Sequence, residues 1–163
     1  MRNDVKMHDS ALKSLKHIIQ GLNNDREFYE IDIDWEYTPF EDSLKSYCDS
    51  YFDFYLDNGC GEVFFNSLVS VVEAIVECNA ENYYEDFFRP AELITYYFAK
   101  IASHDDDLKD LIHDWLVEFC SDFEGDMIVD DYFKPFIDGE KISNSDNYYA
   151  DYADFNRMIL VFK

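Results

Sequence analysis

Between residues 105 and 122 the chain reads DDDLKDLIHDWLVEFCSD, and two sets of residues interleave along it. Leu108, Leu111, Ile112, Trp115 and Phe119 recur at intervals of three and four, and so do Asp107, Asp110, Asp114, Glu118 and Asp122. An α-helix, with about 3.6 residues per turn, sends the two sets to different sides. The spacing predicts a helix opened by Asp105 or Asp106, its apolar face inward and a row of carboxylates facing water.

Most of the chain up to Gly125 carries the same period. Residues 9–22, DSALKSLKHIIQGL, place Leu12, Leu15, Ile19 and Leu22 on one face behind Asp9 or Ser10 as cap, and the opposite face is basic. Thr38, Pro39 and Glu41 form a capping box with proline at the first helical position, predicting a helix to about Leu56 that stops at Asn58 and Gly59. Along it Asp42, Asp49, Asp53 and Asp57 make a second acidic row, interrupted by Ser46. Val63, Phe64, Leu68, Val71, Val72, Ile75 and Val76 cover most of the circumference of 62–78, which predicts a central buried helix. Pro90 opens a further helix containing Leu93, Ile94, Tyr97, Phe98 and Ile101.

One stretch has a different period. In YEIDIDWEYTPF, residues 29–40, Ile31, Ile33, Trp35 and Tyr37 alternate with Glu30, Asp32, Asp34 and Glu36, the signature of a half-buried strand. The apolar runs MIV at 127–129 and MILVF at 158–162 are then expected to be strands pairing with 30–37. The predicted fold is α+β, mainly helical with about five helices and a small two- or three-stranded sheet. A chain of 163 residues without repeats or linkers is expected to be a single domain, 1–163.

The 36 acids and 13 bases give a net charge of −23, far beyond the magnitude of about 2 to 8 that suits a small soluble domain. Arg2, Lys6, Lys13 and Lys16 outweigh Asp4 and Asp9, so residues 1–24 carry +2 and the remainder −25. The longest acidic run is Asp105, Asp106 and Asp107, so no tail holds the excess. A chain that is 48% hydrophobic and 18% aromatic is not intrinsically disordered, which puts the charge on folded surface. Such a surface repels nucleic acid and anionic membranes and selects a basic partner.

Cys48, Cys60, Cys78 and Cys120 lack C-x-x-C spacing and read as reduced thiols. With neither a signal peptide nor an apolar run near 18 residues, the expectation is a cytoplasmic protein, in the host cytoplasm if phage-encoded. His8, His17, His104 and His113 fall in no metal signature, and no phosphate-binding, dinucleotide or G-x-S-x-G motif occurs. No cofactor and no metal is predicted.

The words IDIDWEY resemble the catalytic strand of family-18 chitinases, D-x-x-D-x-D-x-E, with Asp32, Asp34 and Glu36 matching its last three acids. That resemblance implies Glu36 as general acid and Asp34 as the residue positioning the substrate acetamide. Tyr29 stands where the first Asp belongs, and the motif's (β/α)₈ barrel needs about 250 residues with three strand-helix units ahead of it. The acids are therefore read as a charged row, and no enzyme is predicted.

Acids two apart on a strand lie about 6.7 Å from each other, and acids four apart on a helix about 6 Å along its axis. Successive phosphates rise about 3.4 Å per nucleotide on each strand, and winding brings their through-space step to a similar 6 to 7 Å, roughly. Tyr83, Tyr84, Tyr148, Tyr149 and Tyr152 stand beside acids and supply the aromatic anchors that interfaces favour. In charge, size and aromatic content the chain resembles the acidic DNA-mimic proteins by which phages and mobile elements block host restriction or CRISPR nucleases. That resemblance implies an inhibitor occluding the groove of a basic nucleic-acid-binding protein, a nuclease or defence complex, through the three acidic rows and the tyrosines. The alternative is an immunity or antitoxin protein capping one cognate basic toxin, and a glycosidase-like enzyme ranks below both.

Overall fold

The computed structural model describes residues 2–29, 39–78, 88–140 and 154–163. Seven α-helices account for most of them: α1 (Arg2–Tyr29), α2 (Pro39–Asp57), α3 (Gly61–Cys78), α4 (Phe88–His104), α5 (Asp106–Asp122), α6 (Lys134–Ile137) and α7 (Phe155–Met158). A π-helix, Val129–Phe133, leads into α6. The chain divides into two compact units, Met1–Asp86 and Phe87–Lys163.

In the first unit α1, α2 and α3 pack on one another around an aromatic cluster. Phe64 of α3 is fully buried, with the rings of Tyr47, Phe52 and Tyr55 from α2 centred 5.7, 5.7 and 5.6 Å away. Among the described side chains of α1, Ala11 and Ile18 are buried. The helix starts seven residues before Asp9, so Asp9 and Ser10 lie in its interior and do not cap it. Leu12, expected on the inner face, is 38% exposed, while the neighbouring Ala11 is fully buried. Helix α2 runs as its sequence predicts and ends in a Schellman motif: Cys60 N–H donates to Tyr55 O (2.7 Å) and Gly59 N–H to Leu56 O (3.1 Å). Gly59 has φ +68°, the left-handed conformation this closure requires. The capping residue predicted for α2, Thr38, lies outside the described residues.

Helix α3 is not the all-round buried helix that its composition predicts. Glu62, Val63, Asn66, Ser70 and Glu73 form an exposed stripe along it. That position belongs instead to α4 in the second unit, where the ten residues Pro90–Ala99 are all buried. Helix α5, the π-helix and α7 pack against α4. Pro90 sits in the first turn of α4, where a missing N–H costs no intrahelical bond.

Among the described residues the predicted sheet is absent: 85% of them are helical and none is in a strand. Asp126 caps the segment after Gly125, its Oδ1 accepting from Ile128 N (2.9 Å) and Val129 N (3.2 Å), so the run 127–129 opens helical structure. Ile128, Val129, Tyr132, Phe133 and Phe136 then bury one helical face. In the run 158–162, Met158 ends α7 and tight turns come after it, with Val161 N–H donating to Met158 O (3.0 Å). Short unbroken apolar runs suit a buried helix as well as a strand, and here the first opens helical structure while the second leaves a helix in turns. The third expected strand, 30–37, lies outside the described residues. Among the described residues no helix is long and apolar enough to cross a membrane.

The C-terminal segment is fastened to α4 and α5. Tyr96 Oη donates to Asp154 Oδ1 (2.6 Å), Phe155 stacks on Tyr96 with ring centres 5.9 Å apart, and His113 meets Phe162 edge-on at 5.2 Å. Gly139, at φ +70°, passes so close to the chain end that a Cβ there would stand 2.6 Å from Lys163 Cα.

Candidate functional site

The acidic row predicted for α5 forms on its outward face. Asp105 is the N-cap, in extended conformation, its Oδ1 accepting from Asp107 N (2.8 Å) and Leu108 N (3.2 Å). This fixes the start of the helix and the rotation of its later turns. Ile112, Leu116 and Phe119 are buried, while Leu108 and Trp115 are half-buried. Leu116 thus takes the inward place expected for Leu111, which is 39% exposed. Asp107, Asp110, Asp114, Glu118 and Asp122 are all exposed.

Their electrostatic setting is uncompensated. Lys109, the only lysine or arginine of α5, is rotated about 200° from Asp107 around the axis. Among the described residues no lysine or arginine pairs with any of the five carboxylates, and the contact that one of them makes is between His113 Nδ1 and Asp114 Oδ1, at 3.8 Å. Asp114 keeps 85% of its side chain exposed even so. The last turn of α5 holds no basic residue, so Glu118 and Asp122 also face the negative end of the helix dipole.

In the second row, Asp42, Asp49, Asp53 and Asp57 of α2 are exposed, with Ser46 exposed between them. Asp42 and Ser46 stand on the wall of a cavity of about 410 Å³ between α1 and α2, which Ser14 and His17 line from α1. The third row, Glu30, Asp32, Asp34 and Glu36, lies outside the described residues, as do Tyr83, Tyr84, Tyr148, Tyr149 and Tyr152.

Other acids work for the fold instead. Asp105 and Asp126 cap helices, Asp154 accepts from Tyr96, and Glu41 and Glu92 are buried. This separates carboxylates with structural duties from the α5 row, whose members have none of these roles among the described residues.

Sequence reasoning missed the neutral part of this surface. Val117 (48% exposed), Phe123 (40%) and Met127 (43%) join Leu111 as large apolar side chains in water. On α5, Leu111 and Val117 interrupt and flank the acidic row. Their positions in the helical period carry the signal, since Leu111 falls inside the sector occupied by acids and Val117 at its edge, beside Asp110. Sequence reasoning also missed a cleft of about 280 Å³ between the C-terminal half of α5 and the segment 130–138, lined by Val117, Cys120, Glu124, Asp130, Lys134 and Asp138 among others.

Cys48, Cys60 and Cys120 are free, burial followed by Asp49 holds Cys48 well above the usual thiol range, and Cys120 is pushed up to about 11 by burial and then by Asp130 and Asp138. Neither the Cys48 nor the Cys120 environment favours a thiolate. Asp131 is likewise raised, by burial and then by the neighbouring Asp130. No family model, no curated protein and no solved structure matches this chain.

Proposed function

We propose that the protein is an acidic inhibitor that occupies the basic nucleic-acid-binding groove of a nuclease or defence complex, its carboxylate rows standing where phosphates would lie. The observation that carries this reading is the α5 face: five exposed carboxylates in register, without a lysine or arginine paired to them among the described residues. Steps of four residues space them about 6 Å apart along the axis, close to the roughly 6 to 7 Å between successive phosphates. A solvated helix face that served only solubility would gain by mixing lysines into the row, because like charges at that spacing oppose the helix. The exposed row of α2 extends the same surface chemistry to the first unit.

Action is by occlusion, in the cytoplasm, with no reaction assigned and no nucleic acid bound directly. Association is steered by charge, fast at low salt and weakening as salt rises. The resemblance to DNA-mimic proteins of phages and mobile elements agrees with this mode. A pull-down from host lysate across a salt series, read by mass spectrometry, tests it. The expected result is a basic nucleic-acid-binding protein retained at low salt by the native chain and lost with the triple variant Asp110→Asn, Asp114→Asn, Glu118→Gln. Equal retention by the variant would overturn it.

The exposed Leu111, Val117, Phe123 and Met127 favour a second reading, an immunity or antitoxin protein capping one basic toxin, because a phosphate backbone has no apolar counterpart. Binding that persists at about 1 M salt, where the Debye length is about 3 Å, would select it.

A further inference from the structure

The cleft beside α5 combines features that the acidic rows lack. Its floor is apolar, made by Val117, the protonated Cys120 and Ile137. Its rim carries Glu124, Asp130 and Asp138 and, as the one cation among the described lining residues, Lys134. Lys134 lies four residues from each of Asp130 and Asp138, a spacing that permits ion pairs on a helix. Yet it is exposed, and among the described residues it pairs with neither. Among the described residues Asp130 Oδ1 accepts one long contact, from Gly125 N at 3.5 Å. The negative field reaches the floor, since Asp130 and Asp138 both help to keep the Cys120 thiol protonated.

A concave site with an oily floor and anionic rim fits a cation on an aliphatic stem. At about 280 Å³ the cleft is smaller than the roughly 300 to 1,000 Å³ typical of sites for drug-sized ligands, which suits one side chain. A bare metal ion is disfavoured, because no group of histidine, cysteine or acidic residues among the described residues is placed to hold one. Between the two cationic side chains, arginine matches carboxylates distributed around a rim, through its planar fork of donors and weaker hydration.

We propose that this cleft receives one arginine side chain of the basic partner, its stem on Val117, Cys120 and Ile137 and its guanidinium held by Glu124, Asp130 and Asp138. The inference rests on the partner being basic and adds a specific anchor to a surface otherwise read by charge. It gives a role to the 48% exposure of Val117, since the arginine stem would cover that side chain.

The test is a methyl NMR titration of the full chain with N-acetyl-arginine methylamide, its lysine analogue and its neutral citrulline isostere. The arginine probe is expected to give saturable shifts at the Val117 and Ile137 methyls, the lysine probe weaker ones and citrulline none. Glu124→Gln with Asp130→Asn and Asp138→Asn should weaken arginine binding about tenfold, the scale of a lost charge-assisted contact. Val117→Ser, which keeps every charge, should also weaken it. The stripe variant Asp110→Asn, Asp114→Asn, Glu118→Gln should leave it within about twofold, as those carboxylates are not in the cleft. Circular dichroism establishes that each variant stays folded. Shifts that never saturate, or that spread along the α5 row and vanish in the stripe variant, would overturn the cleft while leaving the groove-occlusion reading intact. Saturable binding at the cleft combined with failure of the lysate experiment would sink that reading and leave the arginine site standing.

Discussion

Neutralising the centre of the α5 row should make the protein more stable while it makes binding weaker. The row Asp107, Asp110, Asp114, Glu118, Asp122 contains four adjacent like-charge pairs, and replacing Asp110, Asp114 and Glu118 by Asn, Asn and Gln removes all four. At about 0.2 to 0.5 kcal/mol per pair the relief is about 1 to 2 kcal/mol. Exposure such as the 85% of Asp114 lets solvent screen the repulsion and puts the figure near the lower end, at about 1 kcal/mol. Relief at the carboxyl end, where Glu118 faces a last turn without a base, adds to the same sign. Urea unfolding followed at 222 nm, at low ionic strength and again in about 1 M salt, separates charge from packing, because the Debye length falls to about 3 Å. The expected result is a midpoint raised at low salt and a difference that shrinks in high salt. A variant less stable than the native chain, or a gain unchanged by salt, would refute the account of these carboxylates as unpaired and solvent-facing.

Asp105→Ala should cost about 1 kcal/mol, since it orphans the amides of Asp107 and Leu108, and Asp105→Asn should restore most of it in the same unfolding assay. The hydroxyls of Tyr47 and Tyr55 are buried near one another and make no hydrogen bond of acceptable geometry among the described residues. Tyr55→Phe is therefore expected to be neutral or to stabilise by up to about 1 kcal/mol, whereas a loss above that would show the hydroxyl to be satisfied. Alkylation of Cys120 by iodoacetamide should climb through pH 9 towards about 11 while Cys48 stays inert until unfolding; thiolate-like rates for Cys120 at neutral pH would contradict its surroundings. Because folding raises the Cys120 pKa, its contribution to stability is complete below the unfolded thiol value near 9.0 and is lost as pH rises towards about 11.

The helical period made α5 legible, with its N-cap, its exposed acids and most of its buried face. It misplaced Leu111, and the reason is geometric: at about 100° per residue Leu111 falls between Glu118 and Asp122, inside the acidic sector, while Leu116 sits opposite. The ends of α2 were legible because Pro39 and the Asn58-Gly59 pair punctuate the chain. Residues 127–129 and 158–162 were not, since an unbroken run of three to five apolar residues has no period, and the Asp126 cap that decides the first is only recognisable once the turn at Gly125 is known. The exchange of roles between α3 and α4 depends on which neighbours cover each helix, which no single segment records. The cleft was illegible for the same reason, as its floor and rim come from residues spread over 117–138 that only tertiary packing brings together.

The most direct test of phosphate mimicry is competition. With the partner captured on the immobilised protein, duplex DNA or guide RNA is added in excess and the bound fraction is followed by surface plasmon resonance. Mutual exclusion, with nucleic acid displacing the protein and the protein displacing nucleic acid, is the predicted result. A stable ternary complex, in which the partner holds its nucleic acid and this protein together, would contradict it.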